Sequence, residues 1–217
     1  MTERPKRWNA LGDAGVIYAD LSGYSQLVYQ CASDPERLDR LALGMARLLQ
    51  HDPARQPDVE IEGYAGDGFV ALCLGDKPAR QAYGFAQDLH QRFHQHARPL
   101  LMDLGFRVDV RLRTAFDVGK AYRVSLDDAH DDTASGGAPG GRTVLMSESA
   151  IIAARIASGQ CCRRFGAAMS RRAYKRLLMA GGQDIREPDE VILDRNRFPE
   201  PIDVYRLHKA EAARIDA

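Results

Sequence analysis

The order of elements along the chain predicts an α+β fold: a ferredoxin-like sheet with helices packed on one face. Three observations carry this reading. A short apolar run, Gly15 to Ala19, ends at the acid Asp20; two further apolar runs are joined by Ala65-Gly66-Asp67-Gly68; and the segments between and after them repeat apolar residues at helical spacing. Strand, helix, helix, two strands, helix, strand is the resulting order, with no internal repeat. The 217 residues are read as one domain, 1–217, with its core at about 15–207.

Gly15-Val16-Ile17-Tyr18-Ala19-Asp20 reads as a buried strand. Ser22 and Gly23 break it. Tyr24, Leu27, Val28 and Cys31 then fall at i, i+3, i+4 and i+7, one face of a helix. Asp34-Pro35 opens a second helix with an N-cap acid and a proline at the first helical position. Its apolar face is Leu38, Leu41, Ala42, Met45, Leu48 and Leu49, and Pro53 and Pro57 close it. Val59–Tyr64 and Phe69–Leu74 are predicted strands, and the Asp67-Gly68 between them is a strong local hairpin signal. A third helix follows Pro78, lined by Ala79, Ala82, Ala86, Leu89 and Phe93, and is expected to stop near Pro99.

Phe106 to Asp117 alternates apolar with polar or basic residues, a half-exposed strand, with Gly119–Val124 expected to return beside it as a hairpin. Ser125–Arg142, rich in Asp and Gly, reads as a mobile loop. A helix over Ser147–Ser158, a strand over Cys162–Met169, a helix over Ser170–Met179 and closing strands at Val191–Leu193 and Ile202–Leu207 complete the reading.

Lys plus Arg balance Asp plus Glu at 30 each, so bulk charge gives no reason to expect nucleic acid as a partner. No apolar run reaches membrane-spanning length, and Met1–Ala14 lacks the apolar core of a signal peptide, so a cytoplasmic location is expected. Cys31, Cys73, Cys161 and Cys162 form no CxxC pair and read as buried free thiols. His90, His94 and His96 lack the acidic partner of a zinc motif. Asp127, Asp128, Asp131 and Asp132 lack calcium-loop spacing, and Gly136–Arg142 lacks the Lys-Ser of a phosphate loop. Arg111 and Arg113 either line an interface between copies or face water; Arg195 and Arg197 read as surface charge.

Two aspartates stand out by position. Asp20 ends the first strand and Asp67 sits at the hairpin tip, and a ferredoxin-like sheet sets the first strand beside the hairpin strands. Two carboxylates at one sheet edge suit Mg²⁺ or Mn²⁺ ions that share a polyphosphate and assist in-line attack at phosphorus. Leu21-Ser22-Gly23-Tyr24 opens a helix directly after Asp20, and its backbone N–H groups suit a phosphate. Each aspartate alone is better read as structural than as catalytic, the second as an ordinary turn residue; it is the pair with the Ser-Gly helix opening that points to chemistry.

With these residues in hand, the sequence resembles the class III nucleotidyl (adenylate and guanylate) cyclases. Val16-Ile17-Tyr18-Ala19-Asp20-Leu21-Ser22-Gly23-Tyr24-Ser25 is similar to the family's opening motif, and Gly66-Asp67-Gly68-Phe69 to its Gly-Asp hairpin. Arg111 to Gly119, Ala153-Ala154-Arg155-Ile156, Gly159-Gln160, Met169-Ser170, Tyr174-Lys175-Arg176-Leu177 and Phe198 to Leu207 follow in the family's order. The resemblance implies two divalent metal ions (Mn²⁺ or Mg²⁺) on Asp20, Asp67 and the backbone carbonyl of Leu21. It implies substrate contacts from Ser22, Gly23 and Tyr24, and Arg155 as a stabiliser of phosphate charge in the transition state. It also implies a homodimer with active sites at the interface.

The departures concern the base. The family's purine-selecting Lys or Glu, four residues before the hairpin Asp, is Gly63 here, followed by Tyr64; the family's Asn four residues before the Arg is Ile151. A rebuilt pocket with an aromatic residue at that strand resembles the pyrimidine (uridylate) cyclases of the Pycsar antiphage system. That implies a UTP substrate ahead of CTP, Tyr64 against the base, and a cyclic nucleotide product read by a separate effector. In a regular strand Gly63 and Tyr64 point to opposite faces, so Tyr64 reaches the base only through a bulge or from a second copy. A purine cyclase with an unusual pocket, and an inactive cyclase-like binding domain, are the competing readings.

Overall fold

The computed structural model describes residues 8–50, 56–65, 68–106, 109–125, 143–181, 190–192 and 203–206. Along the chain these form β1 (Trp8–Ser22), α1 (Tyr24–Cys31), α2 (Pro35–Leu49), β2 (Val59–Ala65), β3 (Gly68–Cys73), α3 (Pro78–Arg92), a π-turn (Phe93–Ala97) and α4 (Arg98–Asp103). There follow β4 (Arg111–Ser125), β5 (Thr143–Ser147), α5 (Glu148–Ser158), α6 (Gln160–Phe165), β6 (Ala167–Ser170), α7 (Arg171–Met179), β7 (Glu190–Ile192) and β8 (Asp203–Arg206).

The strands lie in the order β2-β3-β1-β4-β6-β8-β7, with β5 also paired to β4. The first four are mutually antiparallel, the arrangement a ferredoxin-like core requires. β6 joins β4 in parallel, and α5 and α6 supply the crossover between β5 and β6 that precedes it. The expected α+β class is therefore the observed one.

Strand alternation sorts the core. Ile17, Ala19 and Leu21 of β1 and Leu112, Phe116 and Val118 of β4 point to one face, where they pack with Leu27, Leu41, Leu48, Phe85, Leu89 and Leu177 of the helices. Tyr18, Ala115 and Ala168 point to the other, where Ile152, Ile156 and Ala157 of α5 and Cys161 and Cys162 of α6 cover them. Helices thus lie on both faces, which corrects the one-face expectation. The cause is that β4 and β6 are buried on both sides, so the second side also needs an apolar cover.

The local signals for α2 hold in detail. Asp34 is its N-cap and accepts a hydrogen bond from the Arg37 backbone N–H at 3.1 Å. Other elements differ from expectation. β1 begins at Trp8, and β4 runs unbroken from Arg111 to Ser125, antiparallel to β1 from the Ser22–Arg111 pair to the Trp8–Val124 pair. The expected hairpin around Gly119 is absent because β1 already occupies that edge of β4. The distal arm is held by an edge-on contact of Trp8 and Tyr122 with centroids 5.7 Å apart, and by β5, which the sequence reading missed. Residues 162–165 are helical, and the strand starts only at Ala167 after Gly166 turns the chain at φ 79°. α3 does not stop near Pro99. The π-turn passes the chain on, with the Arg98 N–H bonded to Phe93 O, and Pro99, which has no N–H to give, falls in the first turn of α4. The expected loop over Ser125–Arg142 lies, beyond Ser125, outside the described residues. All four cysteines are buried free thiols, as read from the sequence.

His90 of α3 meets Thr114 of β4, Nε2 to Oγ1, at 2.8 Å. Burial pushes its imidazole from 6.5 down to about 4, and the neighbouring His94 pushes it the same way. The folded state therefore holds His90 neutral, whereas the unfolded chain takes up a proton below about 6.5. Stability from this site is complete above that value and is lost as pH falls from 6.5 toward 4, by up to about 3 kcal/mol. Urea midpoints measured between pH 4 and pH 7 should fall across this window, and His90→Gln should flatten the fall.

Candidate active site

Asp20 lies on the sheet face of Tyr18 and Ala115, two residues before the end of β1. Its directly opposed neighbour on β4 is Arg113. The guanidinium grips both carboxylate oxygens, Nε to Oδ1 at 2.7 Å and Nη2 to Oδ2 at 2.6 Å. The two side chains are only 14% and 18% exposed, so this charge-assisted fork is well shielded from water. A cavity of about 250 Å³ opens beside it, lined by Ser22, Asp109, Arg111, Arg113 and Arg163. Arg111 pairs with Asp109 at 2.5 Å, and Ser22 Oγ donates to the Arg111 carbonyl at 3.2 Å. The cavity's three guanidinium groups outnumber the two carboxylates beside them, Asp20 and Asp109, by one.

The backbone around Asp20 is shaped by glycine. Gly23 takes φ 83° as the N-cap of α1, a conformation that side chains avoid, and turns the chain sharply out of β1. Gly68, at the start of β3, is pressed against Asp20: a Cβ there would stand 2.9 Å from Ala19 O, 3.2 Å from Asp20 Cβ and 3.3 Å from the Tyr18 hydroxyl. The hairpin side of β3 therefore meets the acid of β1, as the sheet argument required. Asp67, joined directly to Gly68, lies outside the described residues together with Gly66. Leu21 buries its side chain in the helix-side core. Tyr24 is half-buried and packs on the same core.

Arg155 is exposed on α5, with Ile152, Ala153, Ile156 and Ala157 buried on the opposite side of the helix. α5 is tied down at its start. Arg172 of α7 binds Asp117 of β4, a carboxylate with no exposed side-chain surface, and also reaches Ser149 Oγ and Glu148 at 3.2 Å each. Ser170 Oγ donates to the same Asp117, and also accepts from the Ala173 N–H at 3.0 Å, capping α7. One cation thus fixes β4, α5 and α7 to each other. Ile151 is 57% exposed on α5.

In the stretch read as the base pocket, β2 carries a bulge. Ile61 pairs with Ala71 and Gly63 with Val70, which leaves Glu62 as the extra residue. Position 64 then pairs with Phe69, a residue of the helix-side core. A Cβ on Gly63 would meet nothing within 4 Å.

The structure thus brings together Asp20, Leu21, Ser22, Gly23 and Tyr24 with the start of the β3 hairpin. Arg155 stands apart on α5. Sequence reasoning missed the role of Arg113 and did not consider Asp109 or Arg163; a β1–β4 register was the signal needed, and it depends on pairing that sequence alone does not give. The donor chemistry of Asp20 suits a hard divalent cation, a half-buried carboxylate beside a backbone carbonyl and a hydroxyl. A cation must nevertheless displace Arg113 to reach it. Among the described residues no three His, Cys, Asp or Glu side chains converge on a metal-sized site.

No protein-family model matches the chain, and no curated protein matches its sequence. Solved structures do. The chain superposes on the adenylyl cyclase CyaB from P. aeruginosa with a TM-score of 0.65 at 12% identity, over 94% of this chain and 97% of that one. It superposes on the guanylyl cyclase Cya2 with a TM-score of 0.61 at 12% identity, over 89% and 90%. A Class III adenylyl cyclase-like ATP-binding protein from Pseudomonas aeruginosa gives 0.60 at 18% identity, over 79% of this chain and 36% of that one. The fold is that of class III cyclase catalytic domains. Among the described residues no helix is long and apolar enough to cross a membrane.

The Asp20–Arg113 fork predicts competition. Arg113→Met should raise the affinity of the nucleotide-free protein for Mn²⁺ by about tenfold or more, because the cation no longer has to displace a bidentate partner. Electron paramagnetic resonance titration of free Mn²⁺ measures this directly, without reference to turnover.

Proposed function

We propose that the chain is a nucleotidyl cyclase that converts a pyrimidine nucleoside triphosphate, UTP ahead of CTP, into its 3′,5′-cyclic monophosphate and pyrophosphate. The observation that carries the reading is the meeting of Asp20 with the start of the β3 hairpin, next to an arginine-lined cavity, on a class III cyclase fold. In this reading 1–217 is one catalytic domain. Two copies form a homodimer in the cytoplasm, with a site at each end of their shared interface.

Asp20, Asp67 and the Leu21 carbonyl hold two Mg²⁺ or Mn²⁺ ions. The ions supply charge neutralisation and a lowered pKa for the attacking hydroxyl. Ser22, Gly23 and Tyr24 seat the phosphates at the start of α1. Arg113, once released from Asp20, joins Arg111 and Arg163 around the terminal phosphates. The ribose O3′ gives up its proton and bonds to the α-phosphorus as the bond from that phosphorus to the β-phosphate oxygen breaks, and pyrophosphate leaves. Arg155 of one copy stabilises charge on the phosphates held by the other. The base is placed beside the 62–63 stretch, Tyr64 approaches it from the second copy, and Gly63 leaves space where a purine selector would stand. A role in antiphage defence, with a separate effector reading the product, follows from the resemblance to Pycsar cyclases. A purine cyclase is the second reading, favoured by the adenylyl and guanylyl cyclases among the matched structures.

Incubation with ATP, GTP, CTP and UTP in the presence of Mn²⁺, with products identified by mass spectrometry, should yield cyclic UMP as the main product. Cyclic AMP or GMP as the main product refutes the pyrimidine assignment and leaves the cyclase; no cyclic product refutes the cyclase. Asp20→Ala and Asp67→Ala should each lower the rate at least about a hundredfold. Subunits carrying Asp67→Ala mixed with subunits carrying Arg155→Ala should recover activity, since the heterodimer rebuilds one whole site. A confirmed heterodimer without recovery counts against the shared interface.

A further inference from the structure

α6 is only six residues long, and it carries Arg163 to the rim of the arginine-lined cavity. A helix this short has too few internal hydrogen bonds to hold itself, so its place is set by what fastens it to the sheet. Gly159, in extended conformation, leads into it, and Gly166 at φ 79° turns the chain on into β6. Between these ends, Cys161 and Cys162 are buried against the sheet, 2% and 1% exposed.

Cys162 does more than fill space. Its thiol donates to the Thr114 carbonyl at 3.3 Å. Thr114 has no exposed surface, so this bond is sealed from water. Burial pushes the thiol well above its usual range, and the proton stays on sulfur to be donated. Thr114 is itself a fixed point. Its N–H donates to the Gly166 carbonyl at 2.9 Å, and its hydroxyl meets His90 Nε2 at 2.8 Å. The residue after Cys162 is Arg163, whose carbonyl accepts from Arg111 Nη1 at 3.5 Å. α6 is thus tied to β4 at two consecutive residues, through Thr114 and Arg111, which flank Arg113 on the strand.

We infer that Cys162 is a positioning residue for a bound polyphosphate: its thiol fixes α6 against the strand of Arg113 and so holds Arg163 at the rim of the cavity. This rests on the reading of that cavity as the seat of the terminal phosphates, and it adds a residue that touches no substrate. A guanidinium on a loose helix has to be ordered each time an anion binds, and that cost is subtracted from affinity. On a helix already fastened to the sheet, Arg163 is ordered beforehand. A thiol is a weak donor, so its effect on affinity is modest.

The test is calorimetric binding of inorganic tripolyphosphate, without divalent ions, to the full chain. Cys162→Ala should weaken binding by about threefold to tenfold, whereas Cys162→Ser, which keeps a donor, should stay within about twofold of the wild type. Cys161→Ala takes the same volume from the same apolar cluster and should also stay within about twofold, which separates the bond from packing. Cys162→Ala combined with Arg163→Met should bind no more weakly than Arg163→Met alone, since the thiol acts through that arginine. If Cys162→Ala does not fold, Cys162→Val, which fills the site without a donor, replaces it. Unchanged binding in Cys162→Ala, an equal loss in Cys162→Ser or Cys161→Ala, or losses that add in the double variant overturns the inference. So does tripolyphosphate that fails to bind the wild type, or that binds Arg163→Met as tightly as the wild type. Mass spectrometry of products from the nucleoside triphosphates answers separately: this binding pattern without any cyclic product keeps the inference and sinks the cyclase.

Discussion

The antiparallel pairing of β1 with β4 is the constraint on which the rest of the molecule depends. These are the two longest strands, 15 residues each, and they pair from one end to the other. Because directly opposed residues share a face, one register from Gly12 to Ser22 assigns every side chain of that stretch and of its partners on β4. Ile17 with Phe116 and Leu21 with Leu112 go to the helix side; Tyr18 with Ala115 and Asp20 with Arg113 go to the other. A slip of β1 by one residue would send Asp20 into the apolar core and Ile17 to the opposite face. The chemistry of the site and the packing of the core are set by the same choice.

The two faces are then finished differently. The helix side is a continuous apolar core from α1 to α7. The other side has apolar cover only where α5 and α6 cross β4 and β6 and where the distal arm, through Leu11 and Leu145, reaches Val16 and Leu72. The remainder of that face carries charge: Asp20 with Arg113 at one end, Glu62 with Arg123 at the edge, and Asp117 with Arg172 beneath the start of α5. Each of these three acids is paired with an arginine, which spares the desolvation cost of leaving a buried acid unpaired. The planar fork of arginine, which holds Asp20 and Asp117 each through two of its nitrogens, suits those two places better than lysine would.

The sequence showed those parts whose signal is local. Asp34-Pro35 announced α2, the apolar spacing of Leu27 and Cys31 announced α1, and Asp67-Gly68 announced the pairing of β2 with β3. Parts decided at long range were hidden. Trp8–Ala14 has no strong strand pattern, since its partners Tyr122 and Val124 lie more than a hundred residues away. Pro99 looked like a stop because the π-turn that accommodates it leaves no mark in composition. Cys161 and Cys162 read as the approach to a strand, yet two adjacent buried residues on one face are equally a helix against a sheet. At the site, Asp20 was visible as an acid after an apolar run. Arg113 looked like one of several alternating basic residues, and only the register shows that it is the partner of Asp20. The parity argument about Gly63 and Tyr64 was sound, but the bulge falls one residue earlier, at Glu62.

The Arg113 fork also bears on when the protein can assemble. Many sites built for divalent ions crowd bare carboxylates together, and such chains fold poorly until the ion arrives. Here the acid of β1 brings an internal counterion from the adjacent strand, so the sheet can close around Asp20 with its charge already balanced. Closing the sheet here therefore needs no bound ion to balance Asp20. On the proposed cyclase reading, the free energy of ion binding is left to be spent when substrate arrives, and the arginine set free in that exchange is delivered to the cavity beside Asp20.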